Sequence, residues 1–175
     1  AFSLESCAPL AEFDAIGITL PHELAATNVL ELLDLAGIPV RSADRDETCP
    51  LIMAGGPCAF NAEPYAPFFD VIMLGEGEES LPELLELHRK LRAEGMPKDR
   101  ILHEMAKVSG TYVPSLYEKL PESEALERGT WVVPVFDDIP ATIEKRVYEG
   151  FADSDAYEPL IVPFTEVVHD RLNVE

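Results

Sequence analysis

The sequence has no apolar run approaching the roughly 20 residues that a bilayer-crossing helix needs, so its 47% hydrophobic content is laid out for a globular core. Basic residues are scarce: 13 Lys and Arg stand against 33 Asp and Glu, a formal net charge of −20. A field of that sign repels the phosphates of nucleic acid, which disfavours direct nucleic-acid binding. The surplus carboxylates read as a solvated surface. The three cysteines, Cys7, Cys49 and Cys58, lie 42 and 9 positions apart, a spacing that fits neither a zinc knuckle nor a redox C-x-x-C. They read as reduced thiols. Ala1 to Leu10 lacks the basic cluster and apolar core of a secretory signal, so the expected compartment is the cytoplasm. There is no Gly-x-Ser-x-Gly, no Walker loop and no His-Glu-x-x-His, which removes support for nucleophile hydrolases, NTPases and zinc hydrolases.

What is present alternates. At 175 residues the chain suits one domain with a small appendage. Phe13 to Leu20 is a short, Ile-rich apolar run ended by Pro21, the pattern of a buried parallel strand. A helix is expected from Asn28, capped by Thr27 or Asn28, with Val29, Leu30, Leu32, Leu33 and Ala36 on one face and Gly37 and Pro39 as the stop. Further strands are expected at Pro50 to Ala54 and Asp70 to Leu74. Ser80 and Glu83 have capping-box spacing ahead of a helix with Leu81, Leu84, Leu85, His88 and Leu91 inward. A last helix is expected from Lys98 to Val108, ended by Gly110. This order predicts an α/β fold, a doubly wound, Rossmann-like parallel sheet over residues 1–109. Phe2 to Leu4 reads as one more strand, with a first strand and helix expected upstream of Ala1. Residues 110–175 carry repeated prolines and no helical period, and read as an irregular, β-rich connector whose pieces, Trp131 to Phe136 and Glu144 to Tyr148, lie over another surface.

Ligands of open parallel sheets sit beyond the carboxyl ends of the strands. Three such ends here carry unusual residues: Thr19 with His22, then Gly55, Gly56 and Pro57, then Gly75, Glu76 and Gly77. They are the candidate cofactor-binding residues, expected to line one crevice. Glycine permits either a close-approaching ligand or a tight turn, and the sequence leaves both open. Gly75-Glu76-Gly77 lacks the third glycine of a dinucleotide fingerprint, which falls on Ser80, and its carboxylates stand where a pyrophosphate would sit. Glu78 and Glu79 suit the amino end of the following helix. His88 and His103 read as packing or rim residues, His22 as a turn residue or a ligand contact, and His169 with Asp170 and Arg171 as an anchor for the chain. No catalytic residue and no metal ligand set is identified.

Asp14 to Thr19, Ala54 to Pro57 with Asn61 to Pro64, and Asp70 to Glu78 leading into Ser80 to Leu85 resemble the cobalamin-binding-like domain upstream of many radical S-adenosylmethionine (radical SAM) catalytic domains. Thr27 to Pro39 and Val162 to Arg171 resemble a bacterial Fe-S oxidoreductase-like subgroup of those proteins. The resemblance implies an accessory, non-catalytic domain that helps cover or recognise substrate, partnered by a radical SAM barrel of the same polypeptide beyond Glu175. It implies a [4Fe-4S] cluster and S-adenosylmethionine for the parent, held by a C-x-x-x-C-x-x-C loop that is absent here. Thr19 and Gly55-Gly56 align with two cobalamin-loop positions, but no Asp-x-His-x-x-Gly occurs; either that loop lies upstream of Ala1 or cobalt ligation is lost, and the resemblance to the subgroup favours loss. Two other readings stay open: a self-contained module for a small anionic or nucleotide-like ligand at the Gly55 and Gly75 crevice, and a protein-interaction platform.

Overall fold

The computed structural model describes residues 1–150. Its centre is a four-stranded sheet in the order β1-β2-β3-β4, formed by β1 (Ala15–Thr19), β2 (Leu51–Gly55), β3 (Val71–Met73) and β4 (Thr111–Tyr112). The first three strands are parallel, and β4 is antiparallel to β3 through Ile72 opposite Tyr112 and Met73 opposite Thr111. The architecture is α/β with a mostly parallel sheet, compatible with a Rossmann-like fold.

The near-continuous apolar runs of β2 and β3 are buried because both faces of the sheet are covered. On one face Leu51, Met53, Val71 and Met73 pack against α2 (Gly77–Ala93) and α3 (Lys98–Met105) through Leu84, Leu91, Ile101 and Met105. On the other, Ile52, Ala54 and Ile72 meet Val29 and Leu33 of α1 (Ala25–Leu35), together with Tyr65 and Phe69 from the β2–β3 connection. The alternation of side chains along a strand produces this division. β1 departs from the buried strand expected: only β2 pairs with it among the described residues, and its outer positions stay exposed.

Two helix starts differ from the expected ones. α1 begins at Ala25, and Thr27 lies inside it with its hydroxyl donating to the Leu24 carbonyl. α2 begins at Gly77, with Glu76 at the N-cap position and no side-chain capping bond. Ser80 is therefore no cap, and its hydroxyl donates back to the Glu76 carbonyl at 2.9 Å. Glu78 and Glu79 in the first turn suit the positive end of the helix dipole, which helps the helix start early. Phe2 makes a single bridge to Pro9 and does not join the sheet.

Beyond Gly110 the chain stays attached to the core. β4 closes the sheet, and Val113, Leu116 and Ile139 are buried in the α2–α3 layer. β5 (Tyr117–Lys119) and β6 (Val132–Pro134) form an antiparallel ribbon. Between them lies α4 (Glu122–Arg128), a helix the sequence reading did not expect. Its support is local: acidic Glu122 and Glu124 in the first turn, an Arg128–Glu124 ion pair at 2.7 Å and left-handed Gly129 at the end.

Candidate functional site

The parallel register brings the expected strand ends to one edge of the sheet, with Thr19 opposite Gly55. The first two ends are fastened together: the Leu20 N–H donates to the Gly55 carbonyl at 2.8 Å, and the Cys58 N–H to the Leu20 carbonyl at 3.0 Å. Gly56 has φ +93°, and a Cβ there would sit 2.9 Å from Thr19 Cγ2 and 3.2 Å from the Leu20 backbone. Pro57 opens the short 3-10 turn Pro57–Asn61. His22 is exposed, and its backbone carbonyl, not its ring, accepts the bond that starts α1, from the Ala25 N–H at 3.1 Å.

The third end is occupied by the protein's own chain. Arg146 bridges Gly75 in parallel fashion, its N–H donating to the Leu74 carbonyl at 2.9 Å and its carbonyl accepting from the Glu76 N–H at 3.0 Å. Gly75 has φ +101°, and a Cβ there would overlap the Arg146 carbonyl oxygen. At Gly110 a Cβ would come within 2.8 Å of the Leu74 carbonyl and 3.1 Å of Arg146 Cβ. The Arg146 guanidinium donates to Glu83 at 2.5 Å and Glu79 at 3.4 Å, and the Glu76 carboxylate accepts from the Tyr148 N–H. A strap thus lies over the end of β3, and the bare backbone of Gly75 and Gly110 admits it. Gly55 and Gly77 keep a free approach, since a Cβ at either position would have no neighbour nearer than 4.0 Å.

The cysteines do not fit an iron-sulfur cluster. Cys49 precedes the five-residue strand β2 and Cys58 follows it, which separates them by roughly 16 Å of extended chain. Cys7 is exposed in the N-terminal turn. No group of three or more His, Cys, Asp or Glu among the described residues is placed to hold a metal ion. His88 is buried on α2, and burial, followed by the Arg92 charge, pushes its imidazole below the usual value. His103 bonds Asp138 at 2.9 Å. That bond, with Lys107 alongside, lowers the Asp138 carboxyl to about 2. His169, Asp170 and Arg171, and the Val162 to Arg171 segment, lie outside the described residues.

The sequence reading missed a buried polar hub at the amino end of β3. Asp70, fully buried, accepts from Ser42 Oγ at 2.7 Å, Arg45 Nε at 3.2 Å and the Ile52 N–H at 2.8 Å, and pairs with Lys98 Nζ at 3.1 Å. Arg45 spends its remaining donors on the carbonyls of Pro39, Val40 and Phe68. The available signal was a lone aspartate immediately ahead of a wholly apolar strand. Beside this hub lies a cavity of about 740 Å³, also lined by Tyr112, Tyr117 and Phe136. The Tyr112 hydroxyl donates to Glu63, and burial, then that bond, raises its pKa.

Comparison with known proteins supplies the family. Residues 1–114 match the model of a family described as radical SAM proteins, N-terminal. An uncharacterised protein of Methanocaldococcus jannaschii is 32% identical over 96 residues, which is 54% of this chain and 20% of that relative. The match spans about a fifth of the relative's length. No solved structure matches the chain.

Proposed function

This chain belongs to the family of radical SAM protein N-terminal domains, and from that premise we propose that it is an accessory, non-catalytic domain that packs on the cluster-bearing part of a radical SAM protein and helps cover or recognise its substrate. The observation that carries this reading is the family match over residues 1–114 in a chain whose cysteines cannot converge on a cluster. Radical SAM chemistry draws on a [4Fe-4S] cluster and S-adenosylmethionine, and in this reading both are held by a barrel of the same polypeptide. The residues after Gly110 act as the strap between the two parts. In support, Leu126, Trp131, Val135, Phe136 and Val147 of that region are apolar and about half or more exposed.

The finer fold assignment, a doubly wound sheet of the cobalamin-binding-domain type, is part of the same proposal and is supported by helices on both sheet faces. In this reading cobalt ligation is lost, as the resemblance to the Fe-S oxidoreductase-like subgroup implies. The crevice residues Thr19, His22, Gly55, Gly56, Pro57 and Gly77 then serve contact between domains, while Gly75 and Glu76 hold the Arg146 strap. The test begins with the coding sequence downstream of residue 175, where a C-x-x-x-C-x-x-C is expected. The longer polypeptide is then reconstituted with iron and sulfide, with and without residues 1–114. Reductive cleavage of S-adenosylmethionine should survive the deletion while turnover of substrate is lost. Absence of the cysteine loop, or cleavage that requires residues 1–114 to supply cluster ligands, overturns the reading. Tight hydroxocobalamin binding with a histidine-ligated spectrum overturns the loss of cobalt ligation.

A further inference from the structure

We propose that the 740 Å³ cavity beside the Asp70 hub is a binding site for a small amphipathic monoanion, an apolar body whose single carboxylate, sulfonate or phosphoester group sits at Lys98. The site is separate from the strand-end crevice and stands whether or not the accessory-domain reading holds.

Its volume falls within the range of about 300 to 1,000 Å³ common to small-molecule pockets. Its polarity is uneven. Arg45, Asp70 and Lys98 form a buried group with two positive charges and one negative. Arg45 is fully engaged, so the excess charge rests on Lys98, whose side chain is 19% exposed and faces the cavity. An ammonium has three N–H donors, and two are taken, by Asp70 at 3.1 Å and the Arg45 carbonyl at 3.1 Å. The third has no acceptor among the described residues. Arg41, also in the lining, makes no ion pair among the described residues, in a chain where acidic partners are abundant.

The aromatic part of the lining behaves as apolar, because its polar atoms are already used. Tyr112 donates to Glu63, Tyr117 donates to the Pro140 carbonyl at 2.7 Å, and the Phe136 ring stands edge-on to His103 at 5.0 Å. Among the carboxylates, Asp70 is paired within its hub and Glu63 with Lys119, while Asp46, bonded to the Thr48 N–H and hydroxyl, keeps its charge at an exposed position. Glu47 and Asp99 remain at the rim, and their charge restricts the ligand to one negative group. Tyr112 and Tyr117, whose rings lie 4.8 Å apart and tilted at 58°, offer one aromatic face to the edge or face of an apolar body.

The test uses 8-anilinonaphthalene-1-sulfonate, a flat monoanion, and N-phenyl-1-naphthylamine, its uncharged counterpart, titrated by fluorescence into the 175-residue chain. One sulfonate probe per folded chain is expected. Lys98→Gln should weaken it about tenfold and leave the neutral probe nearly unchanged, since about 1.4 kcal/mol corresponds to a factor of ten. Arg41→Ser, at an exposed rim position, should weaken the sulfonate probe severalfold with no effect on folding. Ser115→Trp, which projects bulk from the cavity edge, should abolish binding of both probes. The proposal is overturned if the sulfonate probe does not bind, if it binds with several sites per chain in proportion to lost near-UV dichroism, if Arg41→Ser and folded Lys98→Gln both bind as wild type, or if Ser115→Trp leaves both probes bound.

Discussion

Gly75→Val tests whether the strap is an integral part of the fold. A β-branched residue at φ +101° is strained by about 1 to 3 kcal/mol. Its Cβ would also overlap the Arg146 carbonyl, so the strap has to leave. Departure costs the two backbone bonds that join Arg146 to Leu74 and Glu76, roughly 1 kcal/mol each. The half-exposed pairs of Arg146 with Glu79 and Glu83 add less than about 1 kcal/mol. The sum is about 3 to 5 kcal/mol, and at roughly 2 to 4 °C per kcal/mol for a chain of this size the melting temperature should fall by about 6 to 20 °C. Trypsin should meanwhile cut faster after Lys145 and Arg146, which the wild-type strap protects. Gly17→Ala is the control: nothing lies within 4 Å of its Cβ position, and the change should stay within about 0.5 kcal/mol. Equal melting temperatures and equal tryptic rates for wild type and Gly75→Val would refute the reasoning.

Three further outcomes are expected. Asp70→Asn leaves Arg45 and Lys98 buried without their counter-charge, and the urea transition should lose about 3 to 5 kcal/mol; a loss below about 1 kcal/mol contradicts the hub. Thr111→Val removes a buried hydroxyl that has no partner among the described residues and keeps the side-chain shape, so stability should rise by about 1 kcal/mol; a clear drop means the hydroxyl is bonded. Burial, then Arg92, lowers the His88 pKa. The unfolded chain therefore takes up the proton near pH 6.5 while the folded one resists, and stability should decline as pH falls below about 6.5. His88→Leu should flatten the difference between urea midpoints at about pH 7.5 and about pH 5.5, and an unchanged slope would assign that dependence to other groups.

The strands β2 and β3 were legible because a run such as Leu51 to Ala54 has few alternatives to burial on both faces. The helix ends were less so. Capping spacing pointed to Ser80, yet the turn geometry at Gly75 and the carboxylates Glu78 and Glu79 start α2 at Gly77. α4 went unseen because its signals are charge placement and a terminal glycine, with no apolar period to mark it. At the strand ends the glycines were visible, but a glycine that admits a ligand and one that admits the chain itself look alike in sequence. Only the position of Arg146, 71 residues beyond Gly75, separates the two.

The sequence by itself determined the alternating α/β order, the apolar strands, the carboxyl-end loops and the lack of a cluster motif, because each rests on local periodicity or spacing. The tertiary structure alone decided what covers the end of β3, where Asp70 finds Ser42, Arg45 and Lys98, and that a cavity opens beside them. Those are contacts between residues 25 or more positions apart, and no local pattern encodes which distant groups the packing of sheet and helices will bring together.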